Sequence, residues 1–448
     1  MSDSSQDGET LVYDLVGVGF GPANLALAIA AHEGGREHDG AETVDGSPRM
    51  AFVERQPHFG WHRGMLIDGA TMQVSFMKDL VTIRNPTSPY SFLSYLHGRG
   101  RLVDFVNHKC LFPSRVEFHD YLEWAAAGFE PLVRYGHEVI DIRPVEQDSR
   151  VSYLDVVARN TATGETSVLR TRNVVLAPGL EPFVPDGVTL GWRVWHNRDL
   201  LDRVAQVPDP ARMLVVGAGQ SAAETTEFLH RRFPETEICS VFTRYGYSPA
   251  DDSPFANRIF DPEAVGAFYS APSDVKSMLM NYHRNTNYSV VDPELIEELY
   301  RRVYQERVSG NQRLRLFNVS RVSEVAEDAD GVRAVIESLT TGEKTVLDAD
   351  VVVYATGYRP TDPFRLLGAS AGLCRQDLTG ELRVERDYRV TTAPGVDAGI
   401  YLQGATEHTH GVTSSLLSNT AVRAGEIAGS ILSSADHETG RRYAFTGD

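Results

Sequence analysis

Apolar residues along the chain gather in short continuous runs separated by glycine, proline and acidic stretches. A run of that kind bounded by turn signals predicts a buried strand, whereas apolar positions recurring every three or four residues predict a helix. On this basis residues 11–19 read as a buried strand and 22–32 as a helix, followed by a polar, glycine-rich loop over 33–49 and a strand over 50–55. The stretch 60–130 mixes aromatic and loop residues. Beyond it, 151–159 and 171–179 read as strands of a β-rich return. The strand–turn–helix pattern restarts over 211–232, with another strand at 237–244. Residues 292–308 have helical spacing, 322–328 and 332–338 predict a hairpin, and 348–360 predict a buried strand ending in a turn. Residues 414–432 are helical by period, and the C-terminal end beyond them reads as frayed.

The 448 residues suit two or three domains. With 42% hydrophobic and 23% charged residues, the chain has the balance of a soluble globular protein with a sizeable core. A net charge of −18 argues against a nucleic-acid partner. No apolar run reaches the roughly 18 residues that a membrane span needs. The polar, acidic residues 1–10 have neither signal nor transit character. Cys110, Cys239 and Cys374 lie far apart and form no CxxC, zinc or disulfide pattern, which fits a reduced, cytoplasmic compartment.

The two strand–turn–helix units carry the candidate chemistry. A strand followed by G-x-G-x-x-G/A and a helix sets backbone N–H groups and the helix N-terminus against a pyrophosphate. In the first unit Gly17 makes the turn, Gly19 allows close backbone approach, and the third small position holds Pro22. Proline is tolerated at the first helical position, where its missing N–H is not needed and its fixed φ suits a helix start. Glu54, ending the next strand, reads either as a ribose ligand or as a solvated strand end. The second unit, with Gly217, Gly219 and Ala222, is a cleaner match; Gln220 and Ser221 there can cap the helix or touch a cofactor phosphate. The strand after it ends in Phe242, Thr243 and Arg244, with no carboxylate. An arginine here can accept a 2′-phosphate, favouring NADPH over NADH, or can simply stand at the surface.

Two dinucleotide turns in one chain suggest a flavoprotein fed by a nicotinamide cofactor. The apolar runs 174–179 and 351–357, each ending in a small turn (the second at Gly357), support this reading. The expected fold class is α/β, with two Rossmann-like domains for FAD and NADPH, the second inserted in the first, and a small, mainly helical substrate region. The expected division is 1–205 and 347–448 for the FAD-binding domain and 206–346 for the NADPH-binding domain, with the helical insert around 250–310. Paired cysteines for disulfide reduction are absent. Electron transfer to a protein partner and oxygen activation through a flavin C4a-hydroperoxide remain.

Five blocks narrow the choice: MQVSFMKDLVTIRNPTSPYSFLSYLH (72–97), PADDSPFANRIFDP (249–262), NTNYSVVD (285–292), YATGYRP (354–360) and THGVTSSLLS (409–418). Together they resemble the N-hydroxylating flavin monooxygenases of siderophore biosynthesis, the ornithine and lysine N-monooxygenases. The resemblance covers nearly the whole chain and extends to the proline variant of the first turn. It implies FAD, NADPH and O2, and hydroxylation of the side-chain amine of L-ornithine, with L-lysine or a diamine as the alternative. It also implies a homo-oligomer, dimer or tetramer.

Position by position, the resemblance implies that Lys78 pairs with the substrate carboxylate and that Asn257 binds its α-amino end. Asn287 would lie by the amine to be oxidised, and Ser418 near the substrate pocket. Met72 and Gln73 would lie against the flavin ring, while Gln220 and Tyr288 would contact NADPH. By block spacing Thr243 occupies the place of the family's 2′-phosphate arginine, with Arg244 one residue later. No acid–base dyad is required, because the flavin carries the oxygen chemistry; the substrate amine must be neutral, and desolvation beside Asn287 would lower its pKa.

Plainer readings exist for several of these residues. Lys78 can pair with Asp79 at the surface, Asn257 can make an Asx turn and Asn287 can cap a helix. Trp61 and His62 read as packing near the isoalloxazine or as plain core. His408 and His410 have a spacing that serves a metal in a strand, but no further ligand is evident, so a loop against the flavin is favoured and no metal is expected. A redox carrier that passes electrons to a protein would not need Lys78, Asn257 and Asn287 in one pocket.

Overall fold

The computed structural model describes residues 11–34, 48–287 and 289–439. The expectations for the N-terminus, for most of the 33–49 loop, for Tyr288 and for the C-terminal end lie outside the described residues.

The first sheet grows around Val12–Val18, which pairs in parallel with Met50–Val53 on one side and with Thr166–Leu176 on the other. Met50–Val53 pairs onward with Val133–Arg134. Thr166–Leu176 continues antiparallel into Arg150–Asn160, and that strand into His137–Gln147. The last part of Thr166–Leu176 also pairs in parallel with Gly399–Leu402, which returns from far along the chain. All four residues of Met50–Val53 are buried, the uniformly apolar pattern of a strand covered on both faces. Helix Pro22–Gly34 lies against helix Thr420–Thr439 beside this sheet.

The second sheet is parallel throughout, in the order Leu314–Phe317, Glu237–Val241, Arg212–Val216, Val351–Tyr354, Val194–His196. Its strands all fall between Thr166–Leu176 and Gly399–Leu402 of the first sheet, so the second Rossmann-like unit is an insertion in the first, as expected. Three helices, Pro262–Ser270, Ser273–Asn287 and Pro293–Ser309, occupy the excursion between two of these strands. The hairpin expected at 322–338 is there and gains a third antiparallel strand, Lys344–Ala349. The two crossings between units, Leu180–Pro182 and Tyr358–Pro360, pair antiparallel with each other.

The mixed stretch 60–130 resolves into helices Phe92–Gly98, Leu102–His108 and Arg115–Ala127. Ser91 and Ser114 cap the first and last by accepting the N–H of Ser94 and Glu117, each at 3.1 Å. The helix expected from 414 begins at Thr420 instead. Residues ahead of it form short 3₁₀ turns: the Thr413 carbonyl accepts the Leu416 N–H at 3.2 Å, and the Arg423 side chain donates to the Thr413 and Ser414 carbonyls.

Both dinucleotide turns are built alike. The Val18 carbonyl accepts the Ala177 N–H at 2.9 Å, and the Val216 carbonyl accepts the Ala355 N–H at 2.8 Å. Gly19 (φ +83°) and Gly217 (φ +145°) then pass so close that a Cβ on either would overlap the Ala177 or Ala355 carbonyl oxygen. Each position therefore rejects a side chain twice, through its φ and through its neighbour. Gly217→Ala is expected to destabilise the protein by about 1–3 kcal/mol, read as a lower urea midpoint; an unchanged midpoint would show that the turn has room that the structure denies.

Candidate functional site

At the first turn, a Cβ on Gly17 would overlap the Phe52 ring, so the strand end is packed against the neighbouring strand. Asn24 secures the turn, its Nδ2 donating to the carbonyls of Gly19 (2.7 Å) and Val18 (3.3 Å). Pro22 is the first helical residue and is buried. A Cβ on Gly21 would meet nothing within 4 Å, so the mouth of the helix is open where a pyrophosphate needs space. Glu54 is not a solvated strand end. It is buried, Oε2 accepting the Phe20 N–H at 2.7 Å and Oε1 the Gln56 N–H at 2.8 Å.

Beyond this turn, Met72 is buried, with its N–H on the Pro113 carbonyl at 2.9 Å, while Gln73 is exposed. Trp61 is half-buried between His62 and Phe118, at ring separations of 4.9 and 6.3 Å. His62 holds a left-handed φ of 49° and meets the Tyr358 ring edge-on at 5.4 Å. Tyr358 follows Gly357 (φ +86°), whose carbonyl accepts the Phe183 N–H at 2.9 Å and faces His196 Nε2 at 3.0 Å. The segment around His62 therefore abuts the crossing between the two units.

At the second turn, Gly219 precedes helix Gln220–Arg232 and lies against Ser289, whose Cα would be 3.3 Å from a Cβ there. Gln220 bridges: Nε2 donates to Glu224 Oε1 at 3.0 Å, and Oε1 accepts the Asp292 N–H at 2.8 Å. The Ser221 carbonyl accepts the Thr225 hydroxyl at 2.6 Å. Glu224 also takes both terminal nitrogens of Arg115, at 2.7 and 3.0 Å, and Arg115 donates again to the Met65 carbonyl at 3.0 Å. This largely buried pair joins a helix of the first unit to the dinucleotide helix of the second, and the sequence reading missed it. A glutamate next to Ala222 and Ala223 on the buried side of a helix was the available signal. Arg244 is half-buried and donates to the Ser289 carbonyl at 2.8 Å, whereas Thr243 is exposed.

Lys78 does not pair with Asp79. The Asp79 carboxylate is buried and accepts the N–H groups of Val81 (2.9 Å), Thr82 (2.6 Å) and Phe92 (2.7 Å) and the Thr82 hydroxyl (2.9 Å). Lys78 is half-buried, its Nζ 5.6 Å from the centre of the Phe260 ring, and forms no ion pair among the described residues. Burial pulls its pKa down, and Asp261 opposes the shift. Asn257 lies on the same 3₁₀ segment as Phe260, Ala256–Phe260, and its Nδ2 donates to the Asp252 carbonyl at 2.7 Å. That segment packs against Val412–Ser415, just ahead of buried Ser418. Three of the five blocks thus meet in one place. Asn287 is the last residue of its helix, and its side chain and Tyr288 lie outside what is described.

His408 and His410 do not stand free. His408 Nε2 faces the Leu382 carbonyl at 2.8 Å, and His410 Nε2 faces the Arg386 carbonyl at 3.1 Å. His410 stacks on Tyr388 with ring centres 4.0 Å apart. Among the described residues no group of three His, Cys, Asp or Glu side chains is placed to hold a metal. Burial first, then Arg115, holds the His62 pKa down at about 4. Burial likewise holds His410 at about 4. Both stay neutral in the fold while the unfolded chain takes up protons first, so stability is expected to fall as pH drops from about 6.5 towards 4. In His410→Gln, urea midpoints at pH 7 and pH 5 should differ less than in the wild type; an equal difference would remove His410 from this account.

The sequence profile of the L-lysine 6-monooxygenase/L-ornithine 5-monooxygenase family matches residues 11–360. An L-ornithine N(5)-monooxygenase of Burkholderia cepacia is 43% identical over 414 residues, 89% of this chain and 90% of the relative. The ornithine N-hydroxylase of Kutzneria sp. 744, solved in its FADred–NADP+–L-orn form, is 47% identical, with a TM-score of 0.88 over 94% of this chain and 99% of that one. The L-lysine 6-monooxygenase of Pseudomonas syringae is 33% identical, with a TM-score of 0.81 over 94% of this chain and 99% of that one. By its profile, its relatives and its fold, the chain belongs to the L-lysine 6-monooxygenase/L-ornithine 5-monooxygenase family.

Proposed function

We propose that the protein hydroxylates the side-chain amine of L-ornithine with FAD, NADPH and O2, giving N5-hydroxyornithine for a hydroxamate siderophore or related product. Per turnover, NADPH, a proton and O2 yield NADP+ and water as one oxygen atom enters the N–H bond. The observation that carries the reading is Lys78: a half-buried cation without an ion pair among the described residues, beside the Asn257 segment and the Ser418 turn. Such a cation fits a small substrate bearing a carboxylate.

Gly17 lies inside strand Val12–Val18 and packs on Phe52, so in this reading Gly19 and Gly21, just ahead of Pro22, hold the FAD pyrophosphate in its place. Glu54, whose oxygens keep lone pairs beyond the two backbone bonds, reaches the ribose. Trp61, His62, Met72, Gln73 and Gly357 surround the flavin ring. Bound FAD, once reduced, supplies the activation of O2. Gly217, Gly219, Gln220, Ser221, Arg244 and Tyr288 hold NADPH, with Arg244 toward the 2′-phosphate. Lys78 donates to the substrate carboxylate, Asn257 binds the α-amino end, and Asn287 and Ser418 bound the reacting end. Excluding water there disfavours the ammonium form, which leaves the lone pair that N-hydroxylation needs. The expected division into 1–205 with 347–448 for FAD and 206–346 for NADPH shifts at both bounds, because Val194–His196 and Val351–Tyr354 belong to the second sheet; in this reading the units divide at the paired crossings Leu180–Pro182 and Tyr358–Pro360.

A cytoplasmic setting is supported by three free cysteines, and no helix among the described residues is long and apolar enough to cross a membrane. Assembly into a dimer or tetramer is supported by Val103, Val106 and Leu111, which stand exposed on and just after helix Leu102–His108.

Hydroxylamine product should be measured from ornithine, lysine, putrescine and cadaverine side by side, in wild type and Lys78→Ala. Ornithine is expected to give the highest kcat/KM. In Lys78→Ala its KM should rise by about 100-fold, on the order of 3 kcal/mol for breaking a shielded pair, while putrescine, lacking the carboxylate, changes little. A preference for lysine or a diamine would redirect the assignment, and an ornithine KM moved only a few-fold would leave Lys78 outside the pocket.

A further inference from the structure

Arg423, in the first turn of helix Thr420–Thr439, is 4% exposed. Its Nη1 donates to the carbonyls of Thr413 (3.2 Å) and Ser414 (2.7 Å), its Nη2 to the Thr420 hydroxyl (3.3 Å), and its Nε reaches Gln403 Oε1 (3.5 Å). All of these acceptors are neutral. No carboxylate among the described residues pairs with it. Glu426, one helical turn away, is held bidentately by Arg386 at 2.8 and 2.9 Å. Burial pushes the guanidinium pKa down, with Tyr388 and Glu426 acting only as weaker opposing influences. Among the described residues the most deeply buried arginine thus has no acid partner, in a chain with 61 acidic residues. Burying a cation among neutral groups is unfavourable unless a counter-charge arrives from outside the chain.

A bonded path leads from this cation to the first dinucleotide turn. Gln403 faces Arg423 through its oxygen, and its Nε2 donates to the Ala23 carbonyl (3.2 Å) and Asn24 Oδ1 (3.1 Å). Asn24 in turn donates to the Gly19 carbonyl at 2.7 Å. Ala23 and Asn24 lie in the first turn of the helix whose mouth is open at Gly21.

We propose that Arg423 is a positioning residue for the flavin cofactor, its charge balanced by the diphosphate of FAD at the Gly19–Gly21 turn. The proposal rests on the reading of that turn as the FAD site. Gln403 and Asn24, both buried, line the path between the two sites, so the attraction acts at low screening and reaches the turn backbone through their aligned dipoles. The competing role is mechanical: the guanidinium fork ties down the Thr413 and Ser414 carbonyls, and its charge is incidental.

Charge and fork are separated by Arg423→Gln, which keeps a polar donor and loses the charge, and Arg423→Lys, which keeps the charge and loses the fork. The FAD dissociation constant of each holoenzyme is measured by equilibrium ultrafiltration across a dilution series, with flavin absorbance as the readout. The expected result is an increase of about tenfold or more in R423Q and a value within about threefold of wild type in R423K. Equal losses in both variants, or wild-type affinity in R423Q, would overturn the proposal. If R423Q does not fold, R423K decides alone: retained FAD supports a role for charge, and a tenfold loss assigns Arg423 to the fork. A wild-type protein that binds no FAD at all would overturn the reading of the turn itself, an outcome distinct from any difference among the variants.

Discussion

One close backbone approach occurs twice, and the rest of the architecture is arranged around it. At each dinucleotide turn a glycine passes over the carbonyl of an alanine that ends the adjoining strand, Gly19 over Ala177 and Gly217 over Ala355. Neither contact survives a side chain. Each fixes where a strand stops and where the next helix begins, and therefore where the row of free N–H groups at that helix points. The alanine-ended strands then lead directly into Leu180–Pro182 and Tyr358–Pro360, the paired crossings between units. The same contacts that shape the two cofactor turns thus also set the exits of the chain from one unit to the other.

Between the units one set of polar contacts reaches the second turn. Arg115 grips Glu224 with both nitrogens, and Glu224 holds Gln220 at the head of the second dinucleotide helix. Gln220 then receives the Asp292 N–H. One chain of bonds therefore runs from a helix of the first unit, through the second turn, to the start of helix Pro293–Ser309. Asp79 plays a comparable part inside the first unit. By accepting three backbone N–H groups it fixes the loop that carries Lys78 and leaves that lysine without an ion pair among the described residues. A buried, fully bonded carboxylate holds a loop more firmly than a surface pair would, since exposed pairs contribute little.

Much of this framework is legible in the sequence, because it rests on local signals. Apolar runs, glycine spacing and a proline at a helix start are read from neighbouring residues. Strand His137–Gln147 escaped notice for a specific reason. It is joined to Arg150–Asn160 through Asp148 and Ser149, both at positive φ, where the familiar hairpin signal is Asn-Gly or Asp-Gly. Gly399–Leu402 is only four residues long and gains its place from a partner more than 200 positions earlier. Lys78, Asn257 and Ser418 stood out through resemblance to a family, not through physics, since none has an unusual local setting in the sequence. Arg115 and Glu224 lie 109 positions apart; Glu224 falls on the buried side of its helix, but nothing local names its partner. Arg423 reads as an ordinary polar residue of an amphipathic helix until the fold encloses it.

The account stands on one chemical claim, that reducing power from one turn and a cofactor at the other are spent on placing oxygen on an amine. The most direct measurement supplies 18O2 to the purified protein with NADPH and L-ornithine and weighs the product by mass spectrometry. The account predicts hydroxyornithine carrying one 18O atom per molecule, in amounts matching the NADPH consumed. Ornithine recovered unlabelled, with all the NADPH accounted for by hydrogen peroxide or by reduction of an added protein acceptor, would contradict it.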